Sequence, residues 1–264
     1  MAKYIKSSYK IYFFAILLST FLHSQTYNNC SVCLEKLGKH YLIDVWGNKF
    51  HNKHANEGHY CNSCSRLISE ALTHGGYKIN DGRYVCSLCY PNLVYHDYHI
   101  ENSRQKVLEQ LNNVGFKNLP NNIPIILLNQ TELLELSNSK YHKNLKGFTS
   151  IYQNPNKNYN DYKIYILKNL HNIEFDAVLA HEYLHIWQSI HNIYWTDQQS
   201  EGLCNLGSEL IYNNYNNSFS KILNNNMIKN DDPIYGEGYR KIKRIKDEVG
   251  WDGLIKKIAA NYSY

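Results

Sequence analysis

The rhythm of apolar residues changes after Pro91. In "IENSRQKVLEQLNNV", Ile100, Val107, Leu108, Leu111 and Val114 recur at helical spacing, which predicts an amphipathic helix. "IPIILL" (Ile123 to Leu128) reads as a buried strand, and "TELLELS" as a short helix with Thr131 as its cap. "YKIYIL" (Tyr162 to Leu167) alternates enough for a second strand. A long helix is predicted from near Asn172 through "EFDAVLAHEYLHIWQSI", and another from about Gln198 to Asn213. Glycines and an Asp-Pro pair over 231–238 predict a turn before a basic last helix. Helices and strands interleave in this way in an α+β domain, and 264 residues suffice for one large domain or two small ones.

The first 24 residues follow a different pattern. Lys3, Lys6 and Lys10 precede the apolar run "IYFFAILLSTFL" (Ile11 to Leu22), and no acidic residue occurs before Gln25. A basic start, a short apolar run and then polar residues describe a secretory signal peptide, with cleavage expected after Ser24. The run is short for a membrane span, which needs about 20 residues; an uncleaved anchor is the alternative. Without Lys3, Lys6 and Lys10 the formal charge falls from +5 to about +2. That near-neutral balance argues against a nucleic-acid partner or attraction to a membrane surface, and no lipidation cysteine follows the run. The expected location is therefore periplasmic or extracellular, with no stable membrane anchor.

Six of the seven cysteines fall into three C-x2-C pairs: Cys30 with Cys33, Cys61 with Cys64, and Cys86 with Cys89. Two thiolates on one tight knuckle chelate part of a tetrahedral zinc shell, and a second pair completes it. The pair missing from an even count is supplied by "HNKH", so one structural zinc site is expected at Cys30, Cys33, His51 and His54. A second is expected at Cys61, Cys64, Cys86 and Cys89, with His59 as a rival ligand for the first. In an oxidising compartment the alternative is three disulfides, but the histidines at ligand spacing have no role in such a scaffold. Two consecutive four-ligand sites resemble a LIM domain, although "ANEGHY" makes a longer spacer between them than that family keeps. Residues 25–92 are thus expected to form a LIM-like zinc module for folding and for contact with a protein partner, and residues 93–264 a separate domain.

The second domain contains "AHEYLHIWQ", in which His181 and His185 stand one helical turn apart and project from the same face. An HExxH helix offers two imidazoles to one zinc ion, with Glu182 beside them as general base for a zinc-activated water. The third ligand expected is Glu201, on the next helix of an antiparallel hairpin. Asn205, four residues on, faces the same way and can orient a ligand imidazole. A strand ending shortly before the helix would, at a sheet edge, let an extended peptide add above the metal. This is the architecture of a zincin, and with a downstream glutamate it is gluzincin-like.

The order of segments resembles one family, the LIM-domain growth-regulating peptidases of plants known as the DA-one family, with their bacterial relatives. The resemblance runs from about residue 30 to 258 and rests on the LIM-like ligands, "IPIILLNQTEL", "KGFTSIY", "IYILKNL", "LAHEYLHIW", "SEGLCNL" and "PIYGEGYRKI". It implies a zinc metallopeptidase in which His181 and His185 bind zinc, Glu182 is catalytic and Glu201 is the glutamate that precedes glycine after the HExxH helix. Family members often carry two adjacent glutamates there; here the neighbour is Ser200. Cys204 falls within the same motif and reads as a small apolar filler. In "PIYGEGYR", Tyr235 or Tyr239 is a candidate to stabilise the transition-state oxyanion, or the glycines simply set the last helix. The plant enzymes carry ubiquitin-interacting segments ahead of the LIM region. A leader-like stretch stands at that place here, so ubiquitin activation is not carried over. The functional alternative is a zinc-dependent interaction module with an inactive peptidase-like scaffold.

Overall fold

A computed structural model describes residues 29–137, 145–153 and 160–260. The leader-like residues 1–24 lie outside them. Among the described residues no helix is long and apolar enough to cross a membrane. The chain separates into two units. The first comprises residues up to Ile79 together with 83–88, and the second comprises 80–82 and everything from Cys89 onward.

The first unit is one design used twice. In each half a knuckle closes through two backbone bonds of 2.8 Å: Cys30 N–H to Glu35 O and Leu34 N–H to Cys30 O, then Cys61 N–H to Arg66 O and Ser65 N–H to Cys61 O. Leu34 and Ser65 sit at φ of 65° and 61°. A left-handed backbone at a residue with a side chain costs about 1–2 kcal/mol and persists only where its surroundings impose it. Each knuckle docks on an antiparallel hairpin: β1 (Leu42–Ile43) with β2 (Lys49–Phe50), then β3 (Gly76–Lys78) with β4 (Tyr84–Cys86). The docking bonds are equivalent too, Ser31 N–H to Lys49 O and Asn62 N–H to Tyr84 O. Two short helices, α1 (Asn52–Glu57) and α2 (Glu70–Thr73), complete the unit. Its apolar nucleus is small: Cys30, Phe50 and Leu67 cluster with a few half-buried neighbours, and Val85 is buried beside the cysteines of the second half. Trp46 ties the halves together: its indole N–H donates to Cys64 O at 2.7 Å, and the Arg66 guanidinium lies 3.3 Å above its ring.

The second unit is built around a helix. Its elements are β5 (Leu93–Val94), α3 (Asp97–Asn113), β6 (Ile125–Leu128), α4 (Gln130–Leu136), β7 (Gly147–Gln153), β8 (Asn160–Leu167), β9 (Leu170–His171), α5 (Asn172–Ile190), α6 (Asp197–Tyr215), α7 (Ser218–Ile228) and α8 (Tyr235–Ala260). Apolar residues occupy most faces of α5, and Phe175, Leu179, Tyr183, Leu184 and Ile186 are fully buried. A helix apolar on so many sides must be wrapped by its neighbours; α3, α6 and the sheet of β6, β8 and β7 do so. The face of α3 predicted to be apolar is turned inward, with Ile100, Val107 and Leu111 buried.

Several sequence expectations need correction. The short helix after β6 is capped by Asn129, whose side chain accepts from Glu132 N–H in a capping box, and not by Thr131. The strand that precedes the HExxH helix, β8, is the central strand, parallel to β6 and antiparallel to β7; the edge nearest the site is β7, which the apolar pattern did not reveal. Gly236 and Gly238 lie inside the first turns of α8 and not in the turn before it. A Cβ on Gly238 would stand 2.2 Å from Gln198 O, so these glycines permit close backbone approach.

Candidate metal centres

The thiols and imidazoles of residues 30–89 gather into two clusters. Cys30, Cys33, His51 and His54 bring one donor atom each within 4.8 Å of one another, as do Cys61, Cys64, Cys86 and Cys89. None of the seven cysteines, all among the described residues, is in a disulfide, so the disulfide alternative has no counterpart here. The distances suit zinc. Zn–S bonds of about 2.3 Å at tetrahedral angles place sulfurs roughly 3.8 Å apart, and Cys64 Sγ lies 3.8 Å from Cys86 Sγ. Cys33 Sγ is 3.5 Å from His51 Nδ1, close to the roughly 3.5 Å that a sulfur–nitrogen pair would span on one zinc.

Two further observations fit a metal in the first cluster. His54 Nε2 is buried with no hydrogen-bond partner, an uncommon state for an imidazole nitrogen. Burial alone would raise the Cys30 thiol, but hydrogen bonds from backbone amides, those of Cys33, His51 and Val32 among them, bring its pKa down to about 7, favouring the thiolate a metal needs. The rival ligand His59 is stacked on Tyr84, centroids 3.8 Å apart, and stands outside the cluster. Both four-residue clusters can hold metal ions, and zinc suits them.

The third group lies in the second unit, on one side of α5. Glu174, Val178, His181, Glu182, His185 and Gln188 follow helical spacing and line a cleft of about 2430 Å³. The cleft is walled also by β7, by Glu201 and Asn205 of α6, by one face of α7 and by Tyr235. Helix α6 begins at a capping box of Thr196 and Gln199 and packs antiparallel on α5, which returns Glu201 to the histidines. His181 Nε2 is 3.2 Å from His185 Nε2 and 3.0 Å from Glu201 Oε2, and Glu201 Oε1 is 3.4 Å from His185 Nε2. Donors about 2.05 Å from one tetrahedral ion stand roughly 3.3 Å apart, so the triangle has the size that zinc requires.

The other nitrogen of His181 is also held. Asn205 donates Nδ2 to Tyr235 O at 3.1 Å, which turns its Oδ1 toward His181 Nδ1, also 3.1 Å away. His181 therefore carries its proton on Nδ1 and leaves the Nε2 lone pair facing the triangle. Glu182 is buried beside it, with the Thr149 hydroxyl 2.8 Å from Oε2. β7 passes so close that a Cβ on Gly147 would stand 2.9 Å from Glu182 Oε1.

From the protein groups alone, burial raises Glu182 to about 7, against the opposing effects of His181 and the Thr149 hydrogen bond. Burial and the charge of His181 lower His185 to about 4. Burial works against the charged form of His181 as well, but Glu201 outweighs it and the pKa rises.

The sequence-predicted residues His181, Glu182, His185, Glu201, Asn205 and Tyr235 are thus brought to one cleft. Tyr239 is not among them: it is fully buried, and burial with the charge of Glu209 raises its pKa. Sequence reasoning missed Thr149 and Gly147, which sit on the strand it did not detect; the only available signal was the string "GFTSIY". No protein family matches this chain, and neither a curated protein nor a solved structure matches it significantly. Function must therefore be argued from the cleft.

Proposed function

We propose that the second unit is a zinc-dependent peptidase of the HExxH type, akin to the LIM-domain peptidases of the DA-one family. One observation carries the reading: His181, His185 and Glu201 close a triangle with sides of 3.0–3.4 Å beside the buried Glu182, in a large cleft. His181, His185 and Glu201 would hold the ion, which supplies Lewis acidity to acidify water and polarise the scissile carbonyl. Glu182 takes the proton from water as it attacks and returns it to the leaving amine. Thr149 holds one carboxylate oxygen of Glu182 by its hydroxyl, which limits the rotation of that base. Asn205 keeps His181 in the tautomer that serves the triangle. Tyr235, on the cleft wall, is the side chain suited to stabilise the oxyanion of the tetrahedral intermediate.

The substrate is an extended peptide laid along β7, which pairs with β8 on one side only among the described residues. The first unit serves as a zinc-stapled module for contact with a protein partner, and residues 1–24 direct export of the chain.

Glu182→Gln tests the reading. It should lower hydrolysis of a peptide library by about 10²–10⁴-fold while zinc stays at one ion for each of the two cysteine clusters and one at His181, His185 and Glu201. Wild-type hydrolysis by the variant would sink the mechanism. Full zinc content with no hydrolysis by the unmodified chain would leave a zinc-dependent binding scaffold instead.

A further inference from the structure

A thiol that this mechanism does not use is packed against the metal-centre residues. Cys204 is fully buried on α6 and its sulfur lies 3.4 Å from His185 Nδ1. We infer that Cys204 is a positioning residue for His185, accepting a hydrogen bond from Nδ1–H and thereby turning Nε2 toward the metal centre. The inference rests on the metal-centre reading given above and deepens it.

The geometry separates this role from two others. A fourth ligand would approach the point that His185 Nε2 shares with His181 Nε2 and Glu201 Oε1, at 3.2 and 3.4 Å. The sulfur does lie within 4.8 Å of a donor atom of His181 and of His185, but the nitrogen it meets, at 3.4 Å, is His185 Nδ1, which diverges from that point. A mere filler would have no polar neighbours, yet Gln188 Nε2 also points at the sulfur from 3.5 Å. Gln188 is itself fixed, with Nε2 3.2 Å from Ser200 O and Oε1 accepting from the Ser200 hydroxyl. The amide therefore presents a donor to the sulfur, which leaves the sulfur as acceptor for both Gln188 and His185.

The arrangement repeats what Asn205 does for His181. Glu201, Cys204 and Asn205 stand at i, i+3 and i+4 on α6 and share one face. One residue closes the donor triangle and the next two each hold the distal nitrogen of one histidine. Fixing a ligand imidazole through its other nitrogen sets both tautomer and ring angle, and losing such a partner typically weakens metal binding 10–100-fold.

The test uses the full chain with Cys204→Ala and Cys204→Ser. Zinc affinity at the HExxH site is read by graded chelator competition, the site being assigned by its loss in a His181→Ala, His185→Ala variant, and folding is checked by thermal melting. Alanine should weaken zinc about 10–100-fold, and serine, whose hydroxyl accepts the same hydrogen bond, should recover most of that. An unchanged affinity in the alanine variant, or serine no better than alanine, overturns the inference and leaves a filler. Loss of this zinc in both variants makes the sulfur a direct ligand and overturns it equally. If the unmodified chain holds zinc only at the two cysteine clusters of residues 30–89, the metal-centre reading falls and this inference with it.

Discussion

The two cysteine clusters and the cleft of the second unit place their candidate metal ligands by opposite means. In the first unit, about sixty described residues bury few side chains, Cys30, Phe50, Leu67 and Val85 with Cys61, Cys64 and Cys86 among them, and the backbone carries strained φ angles at Leu34 and Ser65. Cores this small rarely sustain a fold without a metal or disulfides. There the donors are the fold. In the second, α5 and α6 are fixed by a continuous core that runs from Val94 to Ile258, and the three donors are hung on surfaces that packing has already set. Repetition shows the same contrast. The first unit reuses knuckle and hairpin because ligand spacing is all that must be conserved in each half. The second has no such repeat among its described elements, since each helix meets a different neighbour.

Chelation should break this comparison most sharply. Zinc in small structural sites contributes about 10–16 kcal/mol of apparent folding energy, more than so small a nucleus can offset. Removing metal should collapse hydrogen-exchange protection across the knuckles and hairpins of residues 30–88 while α5 and α6 stay protected. Protection of both units after complete chelation would show that the first unit folds without its donors. The reciprocal change is Leu184→Ala, at a fully buried position of α5. It should cost about 2–5 kcal/mol, read as a lower denaturation midpoint for the second unit, with zinc at the two cysteine clusters unchanged. A midpoint shift shared equally by the two units would contradict their separate construction.

What the sequence made legible follows the same division. The eight members of the two clusters in residues 30–89 were readable because the spacing a tetrahedral shell needs stands in the chain, and the internal repeat distinguishes His54 from His59: His51 and His54 follow β2 as Cys86 and Cys89 close β4. The HExxH stripe was readable because polar residues at helical spacing stand out on an otherwise apolar helix. β7 was not. Gly147 to Gln153 has no clean alternation, since one end lies against Glu182 and Val178 and the other at the open rim of the cleft, where Ile151 and Tyr152 are exposed. The glycines of "SEGLCNLG" and "PIYGEGYR" were visible as letters, but their purpose depends on which helices cross, and no local pattern records that. Tyr235 and Tyr239 were equivalent in sequence for a related reason: one turn of α8 separates a cleft wall from the core.

Gly202 offers the smallest change and the finest test of how the second unit places its ligands. A Cβ there would meet Gly238 O at 2.4 Å and Ile242 Cγ1 at 3.0 Å, so α6 and α8 would have to move apart. Alanine gains about 1 kcal/mol of helix propensity over glycine, while overpacking costs about 1–3 kcal/mol. The neighbour in the way is backbone and yields little, so a net loss of up to about 2 kcal/mol is expected for Gly202→Ala. Because Glu201 is the adjacent residue, the same displacement should weaken zinc at the HExxH site and leave the cysteine clusters as they were. A melting temperature raised by Gly202→Ala, with zinc affinity intact, would mean that contact between α6 and α8 does not set the position of Glu201, and that the hairpin of α5 and α6 alone holds the site.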